Sequence, residues 1–167
     1  EAAASYITRD GLKSLLGEVA AAGDMESRER DMVRRVIDFS DVTADAVMVP
    51  ISNTTVLPQT ATVSEALAMA EERKNLRIPV YQDQVFNIVG ILNTRALLLD
   101  PQIDLADAIE LPSFVPETMN LLQLFKSLQR QQRGLVIVLD EFGGTAGIVT
   151  MEDILEELIG KIHGEGE

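Results

Sequence analysis

Gly134-Leu135-Val136-Ile137-Val138-Leu139-Asp140-Glu141-Phe142-Gly143-Gly144-Thr145-Ala146-Gly147-Ile148-Val149-Thr150-Met151-Glu152-Asp153 reads as an apolar strand, a glycine-bearing turn, a second apolar strand and the start of a helix. A weaker copy lies upstream. Placing Gly90 over Gly147 sets Arg77-Ile78-Pro79-Val80-Tyr81 on Gly134-Leu135-Val136-Ile137-Val138, Asp83 on Asp140, Gly90-Ile91-Leu92 on Gly147-Ile148-Val149 and Leu97-Leu98 on Ile154-Leu155, all 57 residues apart. Further upstream, Val63, Ala66, Leu67 and Ala70 match Leu121, Leu124, Phe125 and Leu128 at a spacing of 58. Each set has the i, i+3, i+4, i+7 pattern of one buried helical face, so a one-residue insertion is expected between helix and strand. Two copies are fewer than the about three that a solenoid needs to bury a continuous core, and a closed, two-lobed domain is expected.

Three regions follow. From about Thr8 to Phe39, Leu12, Leu15, Leu16 and Val19, then Met32, Val33, Val36 and Ile37, mark two amphipathic helices separated by Ala22-Gly23-Asp24. The first repeat has a short strand near Thr54 to Leu57 and a capping box at Thr62 and Glu65. Its helix is expected to end near Asn75. A hairpin of Ile78 to Gln82 with Asn87 to Leu92 then leads to a helix over Thr94 to Leu99, capped by Asn93. The second repeat restates the β-α-β-β-α order, with Asn120 and Gln123 as a second capping box and a turn through Asp140-Glu141-Phe142-Gly143-Gly144. The resulting division is a helical arm at 1–41, repeats at 42–104 and 105–162, and a flexible tail at 163–167. The strands Leu135–Leu139 and Ala146–Val149 are too apolar to face water, so helices or the other repeat should cover both faces.

With 167 residues, 46% of them hydrophobic and 25% charged, the chain has the composition of a globular protein. It has no cysteine and one histidine, His163, which excludes a disulfide framework and a Cys/His zinc site. A net charge of −13, with only 14 Lys and Arg, does not suit a phosphate-binding groove, and nucleic acid is not an expected partner. No apolar run approaches the roughly 18 to 20 residues of a membrane span, and Glu1-Ala2-Ala3-Ala4-Ser5 lacks the regions of a signal peptide. A soluble fragment of a longer protein is expected.

The chemistry concentrates at Thr150 and Asp153, an N-cap and a third helical position. Capping alone explains both residues, a contribution of about 1 to 2 kcal/mol. A ligand explains them too: helix N-termini offer free amides to phosphate, and a hydroxyl and a carboxylate suit phosphate and ribose hydroxyls. The first repeat has Asn93 and Ala96 in their places, which still cap a helix but supply no carboxylate. This asymmetry favours one nucleotide-type site and one degenerate site. Three other motifs are set aside. Asp140-Glu141-Phe142-Gly143 lacks the loops that accompany a kinase Asp-Phe-Gly and reads as a turn. Glu152, Asp153, Glu156 and Glu157 read as a solvated acidic face rather than a magnesium site. His163 pairs with no nucleophile, so no enzyme activity and no catalytic residue are expected.

These same residues resemble a tandem CBS (cystathionine β-synthase) domain pair, or Bateman module, over roughly Val42 to Gly160. Val47-Met48-Val49-Pro50 and the run from Asp140 to Glu157 resemble, more narrowly, the CorC/CNNM (cyclin M-like, haemolysin C-like) magnesium and cobalt transport family. The resemblance implies an α/β (α+β) fold in which two β-α-β-β-α repeats pack as a pseudo-twofold pair behind a helical arm. It also implies a homodimeric regulatory module on the cytoplasmic side of the cell membrane, attached to a transmembrane domain. An adenine nucleotide, ATP or AMP, with or without Mg²⁺, would lie between the repeats. Carried over residue by residue, Thr150 and Asp153 would hold phosphates and ribose, and Thr55 with Leu76, Arg77, Ile78 and Pro79 would form the adenine wall. Relatives commonly place an arginine where this chain has Ile51, which implies weaker ATP binding and effective competition by AMP or adenosine. The alternative is a nucleotide-independent dimerisation or protein-interaction module.

Overall fold

Two tight hairpins organise the chain. The structure, a computed structural model, describes residues 40–73 and 76–163, with Arg30, Arg34, Ile37 and Asp38 upstream. Strand β3 (Arg77–Tyr81) pairs antiparallel with β4 (Ile88–Asn93), and β7 (Leu135–Leu139) with β8 (Thr145–Thr150). The registers are equivalent: Val80 lies opposite Gly90 and Val138 opposite Gly147, each followed by a bulge before Tyr81 meets Ile88 and Leu139 meets Thr145.

This register corrects the gapless alignment. The counterpart of Arg77 is Leu135 rather than Gly134, since each faces the last residue of its partner strand, Asn93 or Thr150. The extra residue sits in the turn of the first hairpin, residues 82–87, against 140–144 in the second. Helix and first strand therefore share the spacing of 58. The physical reason is strand periodicity: a slip of one residue exchanges the two faces of a strand. Ile78 and Val80 pack under the helices of the first unit, as Val136 and Val138 do in the second, whereas Leu135 and Ile137 lie between the sheets. A turn accommodates an extra residue; a strand buried on both faces does not.

Parallel neighbours complete each unit through a crossover helix. Strand β2 (Leu57–Pro58) joins β3 through α2 (Val63–Arg73), and β6 (Phe114–Pro116) joins β7 through α4 (Leu121–Gln131). The helix starts are set by side chains. Glu65 Oε2 accepts from the Thr62 N–H (2.8 Å), Thr62 Oγ1 accepts from the Glu65 N–H (3.2 Å), and Asn120 Oδ1 accepts from the Leu122 N–H (2.8 Å) and the Gln123 N–H (3.3 Å). The expected end of α2 near Asn75 lies outside the described residues. Strand β2 is shorter and later than the sequence suggests, because Thr54 closes a 3-10 turn (Ile51–Asn53). Its N–H donates to the Ile51 carbonyl (3.2 Å) and its hydroxyl to the Pro50 carbonyl (2.9 Å).

The units also exchange their leading strands, which the repeat pattern does not reveal. After a short helix α1 (Ala44–Val47), strand β1 (Val49–Pro50) crosses to pair with β8, and β5 (Ile109–Glu110) pairs with β4. The sheets are thus β2-β3-β4-β5 and β1-β8-β7-β6. The exchange explains the matched glycines. A Cβ on Gly90 would overlap the Ile109 side chain of β5, and one on Gly147 would overlap the Val49 carbonyl of β1. Three apolar layers result: one under the helices of each sheet, and a third of Ile88, Ile91, Leu135, Ile137 and Ile148 that joins the sheets face to face. This is the mixed α and β pair of repeats expected from the sequence.

Helices α3 (Thr94–Leu99) and α5 (Met151–His163) follow the hairpins. The sequence expected a tail from His163, but α5 includes that residue, and 164–167 lie outside the described residues. Most of the N-terminal arm does as well; of its expected apolar faces only Ile37 is described, helical and buried. Among the described residues no helix is long and apolar enough to cross a membrane.

Candidate functional site

Strand alternation sorts the residues of β3, β7 and β8 into two sets. Ile78, Val136 and Val149 turn into the helix-covered cores. Arg77 and Pro79, Leu135, and Ile148 and Thr150 turn the other way, around a cavity of about 420 Å³. Val49 of β1, the segment Asn53-Thr54-Thr55, Leu76 and Gly134, and Glu152 and Asp153 of α5 complete its lining. The volume lies within the range of small-molecule pockets, about 300 to 1,000 Å³. Both repeats contribute to the wall.

Six of the seven residues singled out from the sequence line this one cavity: Thr55, Leu76, Arg77, Pro79, Thr150 and Asp153. Ile78 does not. Its side chain is fully buried in the core of the first unit, because alternation along β3 reserves the cavity face for its neighbours. Ile51 is also withdrawn, packed against the layer between the sheets.

The start of α5 is locked by reciprocal bonds. The Thr150 N–H donates to Asp153 Oδ2 (2.9 Å), and the Asp153 N–H donates to Thr150 Oγ1 (3.1 Å). The Met151 N–H donates to the Gly134 carbonyl (3.0 Å). Three amides at this helix start are therefore engaged within the protein, contrary to the free set expected from a helix N-terminus. Contact with a ligand shifts toward side chains: the Thr150 hydroxyl retains its proton, and the Asp153 carboxylate retains unused lone pairs. The cavity lining carries one cation, Arg77, against the carboxylates of Glu152 and Asp153.

Sequence reasoning overlooked Asn53, Thr54, Gly134 and Glu152. The polar run Ser52-Asn53-Thr54-Thr55, two residues after Pro50, was the available signal for the first two, since such runs form loops. Glu152 was assigned to a solvated face; it is exposed, yet it also borders the cavity. Gly134 gave no signal, because its place beside Arg77 of the other repeat is visible only in the fold.

The opposite end of β7 is electrostatically distinct. Glu117, whose N–H donates to the Leu139 carbonyl (3.0 Å), has its carboxyl held above the ordinary 4.5. The causes are a side-chain hydrogen bond with Glu141, then desolvation, then repulsion from Glu141, Asp45 and Asp140. The turn itself is folded by Asp140, whose Oδ1 accepts from the N–H groups of Phe142 and Gly144 (2.9 Å each), with Gly143 at φ +79°. As the sequence suggested, the segment is a hairpin turn.

The sequence pattern of the CBS domain matches residues 41–101 and 108–160. The magnesium and cobalt efflux protein CorC of Escherichia coli strain K12 is 32% identical over 163 residues, which are 94% of this chain and 56% of that protein. The CBS domain of the bacterial CNNM/CorC family Mg²⁺ transporter, solved with an inhibitor, has a TM-score of 0.76 at 31% identity, covering 92% of this chain and 98% of that one. Solved in complex with ATP, such a domain has a TM-score of 0.73 at 36% identity, covering 79% and 97%. The chain spans from about a quarter to a little over half of the length of the curated relatives it matches.

Proposed function

The chain belongs to the CBS domain family, as a tandem pair of the CNNM/CorC type, and from that premise we propose that it is the nucleotide-sensing module of a magnesium or cobalt transport protein. In this reading an adenine nucleotide, ATP or AMP, with or without Mg²⁺, occupies the cavity between the repeats. Asp153 accepts from the ribose hydroxyls, the Thr150 hydroxyl donates to a phosphate oxygen, and Arg77 offsets phosphate charge. Thr55, Leu76 and Pro79 supply the wall for the base. The module acts as a homodimer on the cytoplasmic side of the membrane, and occupancy of the cavity biases the geometry passed to an attached transmembrane domain.

The observation that supports this reading is convergence. Residues as distant in sequence as Thr55 and Asp153 share one cavity, with a hydroxyl, a carboxylate and a guanidinium on its surface. One set of observations favours the second reading, a dimerisation module without nucleotide: the cap accounts for Thr150 and Asp153 by itself, and Ile51 supplies no charge. Calorimetric titration with ATP, ADP and AMP, each with and without Mg²⁺, beside Asp153→Ala, separates the two. Saturable binding that the variant loses supports the sensor. No heat at millimolar nucleotide assigns the chain to the second reading.

A further inference from the structure

Gly134 is not required by its backbone. Of the described glycines only Gly143 has positive φ, so Gly134 adopts a conformation open to other residues. What glycine supplies there is room. A Cβ at this position would overlap Nη1 and Cζ of Arg77, so the guanidinium lies against the Gly134 Cα. Gly134 meanwhile holds the facing helix, through the bond from the Met151 N–H to its carbonyl (3.0 Å). One residue without a side chain thus touches both the cation of the cavity and the helix start that carries Thr150 and Asp153.

The mirrored position has lost this arrangement. Leu76 is the counterpart of Gly134: its carbonyl accepts from the N–H of Thr94, the first residue of α3, at 3.1 Å. The counterpart of Arg77 is Leu135. A leucine stands in place of the seat and a leucine in place of the cation. The pair therefore has one guanidinium seat, on the cavity that also holds Thr150 and Asp153.

Resting on the nucleotide reading above, we propose that Gly134 is a positioning residue for anion recognition: by leaving Arg77 a seat at the cavity, it makes the site select nucleotides over nucleosides. Alanine at this position displaces only the free end of a flexible side chain, so the fold survives while the guanidinium is moved.

The test measures adenosine and AMP affinities by calorimetry for the native chain, Gly134→Ala, Arg77→Gln and the double variant, with thermal unfolding to verify folding. Gly134→Ala is expected to weaken AMP roughly tenfold, the weight of one charge-assisted hydrogen bond, with adenosine changed less than about twofold. In the Arg77→Gln background the alanine adds no further loss for AMP. Equal losses for adenosine and AMP, no loss for either, or the same loss in both backgrounds overturns the assignment while leaving the nucleotide reading intact. Should Gly134→Ala fail to fold, Arg77→Gln decides: the inference requires it to lose the preference for AMP over adenosine and falls if that preference persists. A native chain that binds neither ligand at millimolar concentration overturns both readings together.

Discussion

Thr150 and Asp153 cap the last helix for each other, each backbone N–H donating to the other residue's side chain, at 2.9 Å to Asp153 Oδ2 and 3.1 Å to Thr150 Oγ1. The cap and any ligand role are separable by substitution. Asp153→Asn keeps an oxygen that accepts from the Thr150 amide and removes the charge, whereas Asp153→Ala removes both. Urea denaturation is expected to show a loss of about 1 kcal/mol for Ala and a few tenths for Asn. Nucleotide affinity should fall about fivefold or more in both, as the charged acceptor is lost. Equal stability of the native chain and the Ala variant would remove the cap from the account.

The two matched glycines should respond unequally to alanine. At Gly147 the new Cβ meets the Val49 carbonyl, a backbone atom held in the β1–β8 pair, while at Gly90 it meets Ile109 Cγ2, a branch methyl of a side chain. Moving that methyl takes a turn about χ1 of one stiff, β-branched side chain, whereas moving the carbonyl takes a shift of a paired strand. Gly147→Ala is therefore expected to cost about 2 to 4 kcal/mol and Gly90→Ala about half as much, read as urea midpoints at unchanged m-value. A larger loss at Gly90 would mean that the Ile109 contact is the stiffer one.

The repeat, its helices and its hairpins were legible because each rests on a local signal: apolar periodicity for α2 and α4, cap residues at Thr62, Asn93, Asn120 and Thr150, and a glycine turn at residues 143–144. The strand exchange was not, since β1 and β5 are two residues each and too short for a period to register. Misplacing the extra residue had a similar cause. An apolar strand buried on both faces matches equally well at either spacing, and only its pairing partner fixes the register. Within the site, Thr55, Arg77, Thr150 and Asp153 were found, with Leu76 and Pro79 beside Arg77, whereas the polar residues Asn53, Thr54 and Glu152 were not. Gly134 escaped because its contribution is an absence of atoms, meaningful only once Arg77 is seen beside it. Ile78 was included because a contiguous motif ignores strand alternation.

Leu98 of α3 and Leu155 of α5 stand at equivalent positions and are 48% and 40% exposed, on the two helices that follow the hairpins. If the chain forms the proposed homodimer through these helices, each leucine buries its remaining exposed half in the assembly, about 1 kcal/mol per side chain. Leu98→Glu with Leu155→Glu is expected to convert the dimer to monomer in sedimentation at micromolar concentration, with the monomer still folded by circular dichroism. A dimer that persists in the double variant would place the interface elsewhere.

Glu117 makes stability depend on pH in a direction that can be worked out. Its carboxyl is held above 4.5, first by the hydrogen bond with Glu141 and then by desolvation and the neighbouring acids. Between 4.5 and that raised value the folded state binds more protons than the unfolded one, so stability falls as pH rises. The contribution is complete below 4.5 and lost once pH passes the folded value. Glu117→Gln leaves a group of the same shape that stays neutral and donates to Glu141. Its melting temperature should therefore gain on that of the native chain as pH increases from 4.5 toward 7, and 0.5 M salt should shrink the gain, since the repulsion lies at the surface. A difference that stays constant or narrows with pH would show that Glu117 and Glu141 do not share a proton in the folded protein.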